Sequence, residues 1–141
     1  MIFFVFATLA LTSAVDARCH VDIAIGQAWE DPGTNTTHRA LHLALRNFDE
    51  ADVEVPYDVA MENDAWQDIS DAWNFNETLF ARGMAVGTVV APWANLEAGG
   101  QNIVEVGCIV KTANVTDGDV VPKYVNVDGE DCDGNITYLS L

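Results

Sequence analysis

Four tryptophans lie beside turn-forming or acidic residues rather than inside apolar runs: Gln27-Ala28-Trp29-Glu30-Asp31-Pro32, Asp64-Ala65-Trp66-Gln67-Asp68, Ser70-Asp71-Ala72-Trp73-Asn74 and Pro92-Trp93-Ala94-Asn95. An indole has a broad apolar face and a single N–H. Several indoles in polar surroundings therefore suit a ligand surface better than a core. The chemistry that fits is stacking on pyranose rings, whose faces carry C–H groups and whose edges carry hydroxyls for nearby polar side chains. Trp29, Trp73 and Trp93 are the candidate stacking residues, with Asp71, Gln67 and Asn95 as candidate edge hydrogen-bonders. The bland alternative for any single tryptophan is a place in the core.

Catalytic chemistry is less well served. A glycosidase needs two carboxylates flanking a cleft, and with 22 acidic residues no local motif selects a pair. The histidines are His20, His38 and His42, and no H-E-x-x-H, G-x-S-x-G or cysteine–histidine zinc spacing occurs. The run Asp128-Gly129-Glu130-Asp131 with Asp133-Gly134-Asn135 is rich in oxygen ligands but lacks the twelve-residue calcium loop with its closing glutamate. No catalytic residue, metal or cofactor is expected.

The composition narrows the partners. At 141 residues the chain is one domain, and half of it is apolar, enough for a core. Six Lys and Arg against 22 Asp and Glu give a net charge of −16. Nucleic acid and anionic membranes, which need a basic surface, are excluded as expected partners. Residues 1–17 carry an apolar stretch, Ile2 to Leu11, followed by Val15-Asp16-Ala17, and read as a secretory signal or a retained apolar N-terminal segment. Residues 18–141 form the folded unit. N-glycosylation sequons begin at Asn35, Asn76, Asn114 and Asn135, which points to a secreted glycoprotein, extracellular or in a cell wall.

The elements that must position the tryptophans are strands. Val21, Ile23 and Ile25 alternate with polar or small residues, as do Leu41, Leu43 and Leu45, then Val53 to Glu62, Met84 to Val90, Ile103 to Lys111 and Val120 to Val127, with Ile136 to Leu141 as a further strand. Turn clusters separate them, among them Asp31-Pro32-Gly33, Gly99-Gly100 and Asp128-Gly129. Residues 63–78 fit either a short helix or a strand. Many short strands with regular turns predict an antiparallel β-sandwich. Cys108 falls in register with Val104, Val106 and Val110 and is expected as a buried free thiol. Cys19 opens the first strand and Cys132 follows a late turn. First and last strands can lie together in a sandwich, so Cys19–Cys132 is the expected bridge.

In order and spacing these pieces resemble the family 2 carbohydrate-binding modules. The resemblance runs from Cys19 to about Cys132. It is carried by Cys19-His20-Val21, Trp29, Leu43-Ala44-Leu45-Arg46-Asn47, Tyr57 where tryptophan is usual, Ile69-Ser70-Asp71-Ala72-Trp73-Asn74, Pro92-Trp93 with Ala98-Gly99-Gly100, and Val127-Asp128-Gly129-Glu130-Asp131-Cys132. It implies an all-β, antiparallel immunoglobulin-like or jelly-roll β-sandwich. It also implies a Cys19–Cys132 disulfide and non-catalytic binding of an insoluble β-linked polysaccharide such as cellulose, chitin or xylan. The segment from Trp29 to Asn47 is longer than in that family. The competing expectation is a glycosylated structural subunit, in which identical subunits exchange β-strands to build an extracellular filament.

Overall fold

A computed structural model describes residues 18–26, 28–31, 33–113 and 120–138. The apolar segment 1–17, the Asn114 sequon and residues 139–141 lie outside them. The chain is all-β. Its strands are β1 (Cys19–Ile25), β2 (Trp29–Asp31), β3 (Thr36–Asn47), β4 (Tyr57–Glu62), β5 (Trp66–Trp73), β6 (Glu77–Ala81), β7 (Met84–Val89), β8 (Val104–Ala113), β9 (Tyr124–Val127) and β10 (Glu130–Tyr138). Ala98–Gly100 forms a short 3₁₀ turn. The stretch 63–78 is settled as strand: it holds β5 and the start of β6.

The strands form one ten-stranded sheet in the order β5-β8-β3-β1-β10-β9-β4-β7-β6, with β2 added beside β3. The sheet curls nearly into a barrel. Its two halves bury a common core: Val21, Ile23 and Leu41, Leu43, Leu45 from one half, Tyr57, Val59, Met61 and Val125 from the other. Alternation along each strand produces this directly. In β3 every second residue from Leu41 to Leu45 is buried, and the residues between face outward.

One pairing departs from the all-antiparallel expectation. β10 begins as the hairpin partner of β9 through Glu130 and Asp131, then crosses to run parallel with β1 from Cys19↔Cys132 to Ile25↔Tyr138. It thereby belongs to both halves and joins them. The crossing needs close approach of two backbones, and Gly134 provides it. A Cβ on Gly134 would run into the Val21 carbonyl oxygen. At the head of this pair Cys19 and Cys132 are disulfide-bonded, as expected.

The core holds two polar handles. Tyr57 is buried, and its hydroxyl donates to the Ala94 carbonyl at 2.9 Å. Burial, helped by the Asp128 carboxylate, holds this phenol well above its ordinary ionisation range. Cys108 is buried and free, and burial pushes its thiol up to about 12. The thiolate is the reactive form. Cys108 is therefore expected to resist maleimide at pH 8 in the native protein and to react fully once guanidinium unfolds it. Rapid native labelling would place it outside the core.

Candidate functional site

The outward face of the β1–β3–β8–β5 half collects most of the chemistry. On β3 the outward residues are His38, Ala40, His42, Ala44 and Arg46, alternating with buried Arg39, Leu41, Leu43 and Leu45. Registration extends each into a row across the sheet. His38 pairs with Trp29 on β2 and with Lys111 on β8. His42 pairs with Ala24 on β1 and with Gly107 on β8, and Gly107 pairs with Trp73 on β5. Ala44 lies between Asp22 and Glu105.

Two of the expected stacking residues meet on this face. Trp29 is 49% exposed, and its ring lies nearly parallel to that of His38, with centroids 5.6 Å apart and planes at 11°. The histidine backs the indole and leaves its other face to solvent. Trp73 is half-buried, its ring 5.0 Å from that of His42 and tilted by 51°. It lies across Gly107, where a side chain would occupy the ring's own volume. His38 and His42 are about 13 Å apart along β3, and the two indoles stand on opposite sides of that strand, so the rings are farther apart than the histidines. Between and beside them the floor is low at Ala24, Ala40, Ala44 and Gly107, with Ile109 of β8 standing beside Ala40 in the row between the two rings.

Polar groups surround this floor. Glu105 approaches His42, with Oε2 3.9 Å from Nδ1. Asn74 donates through Nδ2 to the Glu105 carbonyl at 2.6 Å and ties the turn after Trp73 to β8. Asp71 sits exposed where β5 bulges, with φ at 48°. Gln67 is exposed at the other bulge of the same strand. Extra residues at these bulges turn side chains away from the regular alternation.

The other expected residues are placed differently. Trp66 belongs to the core at 3% exposure, its Nε1–H bonded to the Val120 carbonyl at 3.0 Å, so its polar neighbours in sequence concealed a core residue. Trp93 is 62% exposed on the loop after β7, and no described contact joins it to Trp29 or Trp73. Asn95 braces that loop: its side-chain oxygen accepts the Val55 N–H at 2.8 Å. His38 and His42 were overlooked as partners of the indoles. The signal was clear for His42, which stands between buried Leu41 and Leu43, and weaker for His38, whose buried neighbours are the polar Thr37 and Arg39.

The acidic turn spends its carboxylates on structure. Asp128 accepts the Asp58 N–H at 2.9 Å, and Asp131 accepts from Asn126 Nδ2 at 2.7 Å. Among the described residues no group of three or more His, Cys, Asp or Glu is arranged to hold a metal ion.

Gly107→Ala tests how the face is built. The added methyl meets both the Trp73 ring and the Leu41 carbonyl. A backbone contact cannot swing away, so the expected cost is about 1–3 kcal/mol of stability. Denaturant melts should show this loss, and tryptophan fluorescence should shift as the Trp73 ring is displaced. A variant with wild-type stability and an unchanged spectrum would contradict the placement of Trp73.

No family model matches the sequence, and no curated protein does. Solved structures do share its fold. The chain superimposes on an inactive mutant of the GH20 exo-β-N-acetylglucosaminidase from Vibrio harveyi with a TM-score of 0.56 and 13% identity, covering 88% of this chain and 19% of that one. The same enzyme in complex with N-acetylglucosamine gives a TM-score of 0.52 at 12% identity, again over 88% of this chain and 19% of that one. A chitin-binding domain of a chitinase from Pyrococcus furiosus aligns with a TM-score of 0.42 and 12% identity, over 79% of this chain and 98% of that domain. The chain thus spans about a fifth of the length of the enzyme it matches. At such identities the likeness to the enzyme is one of fold alone.

Proposed function

We propose that this protein is a non-catalytic carbohydrate-binding module of β-sandwich type, in which Trp29 and Trp73 stack on the rings of an insoluble β-linked polysaccharide. The observation that carries the reading is the pair of indoles beside His38 and His42 on one outward sheet face, over a mostly low, apolar floor of alanine, glycine and Ile109. Backing fixes each ring before the ligand arrives, which lowers the ordering cost of binding. The low floor lets a flat sugar chain approach both rings. Asp71 and Gln67 on the β5 bulges supply acceptors and donors for ring-edge hydroxyls. Trp93 and Asn95 belong to a separate loop and take part only where a long chain reaches that far.

Chitin is favoured over cellulose as the first ligand to try. The fold is shared with part of an enzyme named for β-linked N-acetylglucosamine. The test is retention of the purified protein on crystalline chitin and on microcrystalline cellulose, with reducing-sugar release followed in the same tubes. Retention with release equal to the buffer blank supports binding without catalysis. No retention on either solid would sink the reading, and release that disappears on mutating one carboxylate would convert it to an enzyme.

A further inference from the structure

The same face carries an acceptor for a covalent sugar. Asn135 lies on β10 in the sequon Asn135-Ile136-Thr137, is exposed, and pairs in register with Asp22 of β1. Its Nδ2 is 3.5 Å from the Asp22 carboxylate, which also accepts from His20 Nε2 at 2.9 Å. Asp22 pairs onward with Ala44 of β3. The row Asn135–Asp22–Ala44–Glu105 is thus the immediate neighbour of the row Ala24–His42–Gly107–Trp73. Two strand spacings and one row separate Asn135 from His42, about 12 Å. The side chains on that path are Asp22, Ala24 and Ala44, of which only the first stands above the floor. Of the described sequon asparagines, Asn135 alone lies in a strand of this face. Asn35 is in the turn before β3, and Asn76 follows β5.

We propose that Asn135 carries an N-linked glycan that lies across Ala24 and Ala44 onto the Trp73 indole, so that the protein's own sugar occupies part of the site that takes external polysaccharide. In forming it, the Asn135 amide nitrogen attacks C1 of an oligosaccharide on a polyisoprenyl diphosphate donor. The N–C1 bond forms, the C1–O bond to phosphate breaks, and the diphosphate leaves while the amide proton passes to a base of the transferring enzyme. The proposal rests on the reading of Trp73 as a sugar-stacking ring. Covering is then an intramolecular equilibrium, and external chains bind only to the uncovered fraction.

The full chain, secreted from a eukaryotic host, is compared with Asn135→Gln and with Thr137→Ala, which removes the sequon while keeping the asparagine. Peptide mass reports occupancy of Asn135, acrylamide quenching reports tryptophan exposure, and chitin retention reports affinity. Asn135 should be modified, and both variants should quench more strongly, an increase that Trp73→Phe removes. If the ring is uncovered a tenth of the time, both variants hold chitin about tenfold more tightly. An unmodified Asn135, or unchanged quenching in both variants, overturns the proposal. Greater quenching without chitin retention by any form upholds the covering glycan and overturns the external ligand. Equal retention with unchanged quenching does the reverse.

Discussion

Alanine at both Trp29 and Trp73 is expected to abolish retention on the polysaccharide that the wild type binds. Base–aromatic stacking, the nearest measured analogue, is worth about 1–3 kcal/mol per ring. Each single substitution should therefore weaken binding by roughly 5- to 150-fold, taking about 1.4 kcal/mol per factor of ten. Both together remove about 2–6 kcal/mol, and at the middle of that range a micromolar binder becomes a roughly millimolar one, too weak to be retained. The two rings stand on β2 and β5, on opposite sides of β3 and more than about 13 Å apart, so their losses should add. Trp93→Ala, on a loop that no described contact joins to this face, should cost less than either. The measurement is a depletion isotherm on the solid, with thermal melts showing that the variants remain folded. A double variant retained like the wild type would remove the sheet face as the site.

Replacing Cys19 and Cys132 together by serine has the largest expected effect on stability. The bridge closes a loop with a sequence separation of 113 residues. In the chain-entropy model a loop of that order contributes about 4–5 kcal/mol. With about 2.1 cal/mol/K of unfolding entropy per residue over roughly 120 residues, the midpoint should fall on the order of 15–20 °C. Reduction of the native protein should give the same shift. A loss of under about 1 kcal/mol would mean that the parallel β1–β10 pair holds its register without the bond. Gly134→Ala supplies an independent probe of that pair, because its methyl meets the Val21 carbonyl whether or not the bridge is present.

The strands that alternate cleanly were legible in the sequence. Val21, Ile23 and Ile25, Leu41 to Leu45, and Val104 to Val110 with Cys108 are all buried as their spacing predicts. Their side chains face one core, so period two survives intact. β5 was ambiguous because it is an edge strand with two irregularities, between Trp66 and Asp68 and between Ser70 and Trp73. Each inserts residues that erase the alternation. β2 and β6 are too short to show a period. The parallel course of β10 was invisible for a different reason, since pairing direction leaves no mark on a single strand. The site was legible as residue types and not as an arrangement. Four tryptophans in polar settings looked alike, yet Trp66 sank into the core once Val120 offered its indole N–H a carbonyl. That Trp29 and Trp73 share a face depends on the registers of β2, β3, β8 and β5, which only the folded sheet supplies.

The strand that joins the two halves is also the last of the ten to leave the ribosome. At roughly 5–20 residues per second, Cys19 emerges about 6–23 s before Cys132, 113 residues later. Throughout that interval β1 has only β3 beside it, and the thiol waiting at its head can meet Cys108 before its native partner exists. A Cys19–Cys108 bond formed then would pull β1 toward a position that belongs to the core and leave Cys132 stranded. Because the two halves join through the pair of strands most distant in sequence, folding is also slow for the chain's size. Host and oxidant thus become variables of the fold: native yield should rise with a disulfide isomerase present and fall when oxidation outruns translation.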